Sequence, residues 1–242
     1  MKTLMLAAGG SKAYADAGFF FPKNLTEIAG RPLIEHAIAG LGDTARDHRL
    51  VVAITAEEDL RYHTARVIRL IEPTAEVVTV GETSGAACTA LIAIDHLPDD
   101  EPLLIVNGDA VVDVDLGAVI SGFEDAGFDA GVLVFEGVHP RWSYVRVDDA
   151  GLVIEASEKR PISRLATAGV YWFARGRDFV DAAMAMIRKD ASVDGRFFVC
   201  PTFNEMVLNN KRIGVHQLDR NAYHSLHDPQ AIPRFEGSLT NV

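Results

Sequence analysis

Five short apolar runs, separated by stretches with helical periodicity, constrain this chain more than any other feature. Thr3–Ala8, Leu50–Thr55, Glu76–Val80, Leu103–Asn107 and Gly131–Phe135 are rich in Val, Ile and Leu and lack clean polar alternation. That is the pattern of strands buried on both faces. Amphipathic segments near Leu33–Ala39, Glu57–Ile71, Gly85–His96 and Leu116–Ala126 lie between them. Pro32 suits the first position of its helix, where a missing N–H costs nothing. A strand–helix alternation of this kind predicts a mostly parallel, Rossmann-like α/β sheet with right-handed crossovers and helices on both faces.

After Glu136 the rhythm changes. Tyr144–Val147 and Leu152–Ala156 flank Asp148-Asp149-Ala150-Gly151, which reads as a hairpin turn. A strand at Gly169–Phe173, helices at Asp178–Arg188 and Thr202–Leu208, and a strand at Ile213–Leu218 follow. The stretch after Pro233 is polar and reads as a loose tail. With 242 residues, 48% of them hydrophobic, the chain can bury a sizeable core. It fits one domain over 1–242, with halves at 1–136 and 137–242.

The net charge is −11, and the 23 Lys and Arg are scattered. A nucleic-acid partner is therefore not expected, since such binders carry a basic stripe. Small anions remain plausible ligands, because a nest of N–H groups and one or two cations can hold phosphate inside an acidic protein. No apolar run reaches the length of a membrane span. The opening MKTLMLAAGG is too short for a signal peptide and reads as a buried strand, so a cytoplasmic location is expected. Cys88 and Cys200 form no metal-type spacing and read as small core side chains.

Ligands of such sheets bind beyond the C-terminal ends of the strands, and two loops there carry chemistry. In the first, Ala8, Gly9, Gly10 and Ser11 can present consecutive N–H groups, and Lys12 and Lys23 supply cations. The spacing is neither a Walker A loop nor GxGxxG, and an ordinary strand-to-helix turn explains it equally well. In the second, Asn107-Gly108-Asp109 follows the run LLIV. A carboxylate at a strand's end is a hard oxygen donor suited to Mg²⁺, though it can equally cap a turn. Asp113 and Asp115 read as turn and helix-cap residues.

Together these residues resemble the sugar-phosphate nucleotidyltransferase family. The shared elements are the Ala-Gly loop with a basic residue, Pro22-Lys23, and Leu25 followed by Gly30-Arg31-Pro32. Similarity to the capsule- and surface-polysaccharide branch, which includes CTP-dependent cytidylyltransferases, continues through Trp142–Val145, Glu158-Lys159, Ile162-Ser163, Ala168–Tyr171, Phe198–Pro201 and Phe203–Glu205. The resemblance implies the nucleotide-diphospho-sugar transferase fold, with a small β-hairpin acceptor region. It also implies transfer of a nucleoside monophosphate from an NTP to a sugar 1-phosphate or other small phosphorylated acceptor, with release of pyrophosphate.

By the same resemblance, Ala8 to Lys12 cradle the triphosphate, Lys23 meets the reacting phosphates, and Asp109 holds Mg²⁺. Thr83, Gly85, Ala86 and Asn107 contact the nucleotide. Tyr144, Glu158, Lys159, Gly169 and Tyr171 shape the acceptor pocket. Taken without the family, Thr83 or Ser84 is an ordinary helix cap and Glu158-Lys159 an exposed hairpin end. CTP, dTTP or UTP is the favoured nucleotide, small molecules are the expected partners, and a homodimer is a reasonable assembly.

Two positions depart from the family. Ala13 stands where its loop arginine falls, with Lys12 one place earlier. His227 stands at a late acidic metal position, with Asp228 one place on. Imidazole suits softer ions better than Mg²⁺. These departures keep two alternatives open: a catalytically weak homologue that binds a nucleotide or nucleotide-sugar, and a nucleotide-sugar-dependent glycosyltransferase on a similar sheet.

Overall fold

The computed structural model describes residues 1–42, 49–93 and 100–239. The strand–helix rhythm builds the first half of the fold. Strand β1 (Lys2–Leu6) leads through helix α1 (Lys12–Asp16), the two-residue strands β2 (Glu27–Ile28) and β3 (Arg31–Pro32), and α2 (Leu33–Ala39) to β4 (Arg49–Thr55). Helices α3 (Ala56–Tyr62) and α4 (Thr64–Ile71) precede β5 (Glu76–Val80), and α5 (Ala86–Ile92) precedes β6 (Leu103–Asn107). Then come β7 (Ala110–Val112), α6 (Leu116–Asp125) and β8 (Ala130–Glu136). The later half adds β9 (Ser143–Val147), β10 (Val153–Glu158), β11 (Leu165–Phe173), α7 (Gly176–Arg188), α8 (Thr202–Leu208), β12 (Ile213–Gln217), β13 (Tyr223–Ser225) and α9 (Ile232–Leu239).

The central sheet runs β10-β9-β11-β6-β1-β4-β5, with β8 on the free side of β11 and β12 beyond it. Pairings β6–β1, β1–β4, β4–β5 and β8–β12 are parallel. Antiparallel pairing is confined to β11 and the β9–β10 hairpin. Because β11 reverses direction between β6 and β8, those two strands end at the same edge, beside the end of β1. That edge is where the candidate site lies.

Side chains alternate along the strands, so each sheet face builds its own core. Met5, Val52, Leu104 and Trp172 meet α2, α4 and α6 on one face. Leu4, Val51, Ile105 and Phe173 meet α5, α7 and α8 on the other. A third cluster of Tyr14, Ile28, Leu33, Val111, Leu226, Ile232 and Phe235 sits apart from both. It joins the phosphate loop to the last strand and last helix.

The hairpin turn is built as its residues suggest: the Asp148 carboxylate accepts the Ala150 and Leu152 N–H groups, each at 2.9 Å. Asp115 caps α6 by accepting from Ala118 N at 3.0 Å. Two expectations need correction. The helix expected over Glu57–Ile71 is two helices, broken at His63 with φ of 57°. The break has a local cause, since Asp59 takes the Ala65 N–H at 2.8 Å and so starts a second helix. The stretch after Pro233 is not loose: Ile232–Leu239 is helical, and Phe235 is buried between the rings of His36 and His224. The helix expected to reach His96 is seen as Ala86–Ile92, and residues 94–96 lie outside the described residues. Cys200 is buried and Cys88 half-buried, both as free thiols.

Candidate functional site

Lys23 is the centre of the site. Pro22 holds extended backbone, and Lys23 opens a single 3-10 turn that carries it under the phosphate loop. The Ser11 hydroxyl accepts the Lys23 N–H at 3.0 Å, which ties the two ends of the loop together. The lysine is only 2% exposed. Its ammonium lies 2.6 Å from Asp109 Oδ2. A side chain on Gly9 would stand 3.1 Å from that nitrogen, so the ammonium sits directly under the glycine loop.

Asp109 follows β6, and its backbone carbonyl accepts from Leu226 N at 2.7 Å. This bond stitches the end of β13 onto the metal-type loop. His227 Nδ1 then reaches Asp109 Oδ2 at 3.1 Å, with its ring largely exposed. Burial alone raises the Asp109 carboxyl, but the neighbouring Lys23 ammonium and the His227 contact outweigh it. They hold Asp109 well below the usual carboxylate range. Asp109 is therefore ionised at neutral pH.

The structure brings His227, not Asp228, to Asp109. Asp228 turns away and accepts from Gln230 N at 3.0 Å, capping the following turn. Among the described residues, no three His, Cys, Asp or Glu side chains converge as a metal cage. A single carboxylate is still sufficient for Mg²⁺, which commonly keeps waters and takes its remaining ligands from substrate phosphates. Asp109 Oδ1 receives no hydrogen bond from the described residues and is available for that role. Lys12 heads α1 and is exposed. Ala13 beside it is exposed too.

On the nucleotide side, Gly85 opens α5 with φ of 114°. A Cβ there would fall 2.4 Å from the Phe197 carbonyl. Backbone bonds from Phe197 N to Ser84 O, 2.7 Å, and from Ala87 N to Phe197 O, 3.0 Å, clamp the Thr83–Ala86 turn. Thr83 shares its hydroxyl with that of Thr89 at 2.8 Å. Asn107 packs against Gly169, whose φ of 75° falls at the register irregularity between Thr167 and Tyr171 in β11. A Cβ on Gly169 would come 2.4 Å from Asn107 Nδ2, so only glycine fits.

On the acceptor side, Glu158 is buried and receives a short hydrogen bond from the Ser143 hydroxyl. Burial pushes its carboxyl up. Lys159 has φ of 57°, pairs with Asp194 at 3.0 Å, and lies over the Phe198 ring at 5.5 Å. The two tyrosines do not share a pocket. Tyr144 packs wholly buried in the first core, with its hydroxyl donating to the His139 carbonyl at 2.7 Å. Tyr171 packs in the second core, its hydroxyl 3.0 Å from that of Thr167. Tyr144 pairs with Ala166, an odd number of places from Tyr171 on β11, and the two side chains fall on opposite faces.

Several supporting residues carry no sequence motif. Asn24 is fully buried and donates to Ala7 O at 2.8 Å and to Glu58 Oε1 at 3.0 Å, while Thr64 donates to the same Glu58 oxygen at 3.0 Å. This network fixes the end of β1 to the turn that carries Lys23. Glu58 reads in sequence as an ordinary first-turn acid. Tyr14 donates its hydroxyl to Leu226 O at 2.6 Å across 212 residues, a contact no local pattern foretells.

The model of the nucleotidyl transferase family matches residues 2–194. The bifunctional protein GlmU of Methanocaldococcus jannaschii is 28% identical over 72% of this chain, which spans 40% of that relative's length. UTP–glucose-1-phosphate uridylyltransferase AglF of Haloferax volcanii is also 28% identical, over 72% of each chain. Among solved structures, a nucleoside-diphosphate-sugar pyrophosphorylase from Vibrio cholerae shares the fold with a TM-score of 0.83 at 21% identity, covering 97% of this chain and 99% of that one. UDP-glucose pyrophosphorylase complexed with UDP-glucose has a TM-score of 0.77 at 16% identity, covering 99% and 98%. The family match takes in the glycine loop, Lys23, Asp109 and the Glu158-Lys159 corner, and on it the chain belongs to the nucleotidyl transferase family.

Proposed function

We propose that the protein transfers a nucleoside monophosphate from an NTP to a sugar 1-phosphate or similar small phosphorylated acceptor, and releases pyrophosphate. The observation that carries this reading is the buried Lys23–Asp109 pair set under the glycine loop. A phosphate monoester already carries most of its second charge at neutral pH, its second pKa being about 6. An acceptor oxygen attacks the α-phosphorus, that P–O bond forms, and the bond to the β-phosphate breaks. No general base is required. Repulsion between two anions is the obstacle, so positioning and charge compensation supply the catalysis.

The chain's own groups divide this work. Loop N–H groups from Gly9 to Lys12 receive the triphosphate. Lys23 offers a fixed ammonium to the reacting phosphates. The clamped Thr83–Ala86 turn presents backbone to the base, and Lys159 meets the acceptor phosphate once it leaves Asp194. Asp109, with His227 beside it, would hold a divalent ion, which when bound would supply neutralisation of charge that grows on the phosphates. CTP, dTTP or UTP is the favoured donor. The branch resemblance favours a capsule or surface-polysaccharide precursor as product, made in the cytoplasm. Among the described residues no helix is long and apolar enough to cross a membrane.

The His227–Asp109 contact favours a second reading, in which the chain binds a nucleotide or nucleotide-sugar without turnover. Pyrophosphate release, screened over four NTPs with a panel of acceptor phosphates and with Mg²⁺ or Mn²⁺, separates the two. Release with at least one pair supports transfer. Nucleotide binding without release under any pairing supports the binding-only reading.

A further inference from the structure

We propose that a pocket between the end of β8, the start of β9, β13 and α9 binds a small phosphate monoester at a place separate from the loop and lysine described above. The pocket has a volume of about 110 Å³. One water needs only ~10–15 Å³ on that measure, while drug-sized ligands occupy pockets of ~300–1,000 Å³. A compact anion with a short organic group fits, and a whole nucleotide does not.

The walls give the ligand its chemistry. Arg141, Arg220 and Arg234 all line the pocket, and no aspartate or glutamate does. None of the three guanidinium groups forms an ion pair with a carboxylate among the described residues. Their bonds are to neutral partners: Arg220 to the Glu136 carbonyl at 2.7 Å, and Arg234 to Asn221 Oδ1 at 3.3 Å. Arg141 lies over the Trp142 ring at 4.4 Å. All three arginines are solvent-exposed, so water screens their mutual repulsion. An anion seated among them gains bidentate bonds, because planar forks match phosphate oxygens. In a chain of net charge −11, such a convergence is not a by-product of general basicity. Phe135, Trp142 and Tyr223 pack ring against ring behind them, at 4.6 to 5.8 Å between centroids. They give an apolar wall for the organic part of the ligand.

None of the glycine loop, Lys23, Asp109 or Lys159 lines this pocket. It adjoins the reaction site at two places: Tyr223–Leu226 lines it and Leu226 N bonds Asp109 O, and the lining Trp142 accepts the Lys159 N–H at 3.0 Å through its backbone carbonyl. A ligand seated there presses on the segment that delivers His227.

The test is titration of metal-free, NTP-free protein with phenyl phosphate and, separately, inorganic phosphate, read by calorimetry and tryptophan fluorescence. Trp172 is 1% exposed, so the half-buried Trp142 is the responsive fluorophore. Phenyl phosphate should bind more tightly than inorganic phosphate and change the Trp142 signal. Arg141→Gln with Arg234→Gln should weaken it by about tenfold or more, through loss of charge-assisted bonds. Lys23→Ala should leave it within about threefold, the scatter expected for a site lacking that contact. Arg141→Lys with Arg234→Lys keeps the charge and checks that the surface is intact; it should restore part of the affinity. The proposal is overturned if wild type binds neither probe, if the double glutamine variant binds as wild type does, or if Lys23→Ala abolishes binding. No step depends on turnover, so a failed transfer assay leaves the result standing.

Discussion

Lys23 is where the residue scale decides most. Its ammonium is buried, paired and placed below the glycine loop. If the protein turns over, Lys23→Ala should lower kcat by about 10²–10³, the cost of one preorganised donor. Lys23→Arg should recover only part, because a planar guanidinium cannot occupy an ammonium's position. Single-turnover kinetics beside equilibrium NTP binding check this, and unchanged kcat in the alanine variant returns Lys23 to a structural role. Asp109 makes a second, pH-dependent case. Its folded-state pKa is depressed, so its ionisation stabilises the fold above the unfolded aspartate value, about 3.9. That contribution is lost as pH falls below this value. Melting temperatures of wild type and Asp109→Asn should therefore differ most at neutral pH and converge in acid. In an active enzyme the asparagine variant should also lose turnover far more than nucleotide affinity. A melting gap that is constant from pH 7 to pH 2 removes the ion pair as its source.

At the scale of elements, α9 and the bend in β11 are the informative parts. Phe235→Ala should cost about 3–5 kcal/mol, as for a large ring removed from a packed core. Chemical denaturation measures it, and a change below 1 kcal/mol would show that α9 is not anchored there. Gly169→Ala forces a Cβ against Asn107 and strains the backbone, so it should cost about 1–3 kcal/mol and weaken NTP binding. Equal affinity would show that Asn107 has no part in the nucleotide site. The strands were readable in advance, because apolar runs such as LLIV have one fate in an α/β sheet. Pro22-Lys23 and Asn107-Gly108-Asp109 were readable as a site because family spacing marks them. The ribbon of β7 and β13 was not, since three-residue strands lack a period to detect. Helix α9 was hidden because a few apolar anchors in a polar segment resemble a tail. Tyr144 and Tyr171 were assigned together because family motifs give positions along the chain, and sheet register then sends neighbouring positions to opposite faces.

For the whole molecule, the site belongs to neither half alone. The loop formed by Asp194, Phe197 and Phe198 holds the Gly85 turn on one side and Lys159 on the other, so the proposed base and acceptor positions lean on the same few residues. Anything that binds the native state at this edge should raise the melting temperature of the entire domain, by RT ln(1 + [L]/Kd). At least one Mg²⁺-NTP should do so. No shift with any NTP at saturating concentration would count against the nucleotide reading as a whole. The bond from Tyr14 to Leu226 adds a consequence in time. The glycine loop is synthesised about 200 residues before the strand that pins Tyr14, whose bond to Leu226 spans 212 residues. Contacts so distant along the chain are slow to close. A chain stopped between residues 110 and 225 carries the loop, both lysines and Asp109, yet lacks the segment that locks them in register. Synthesis therefore withholds a finished site until the segment around Leu226 has been made.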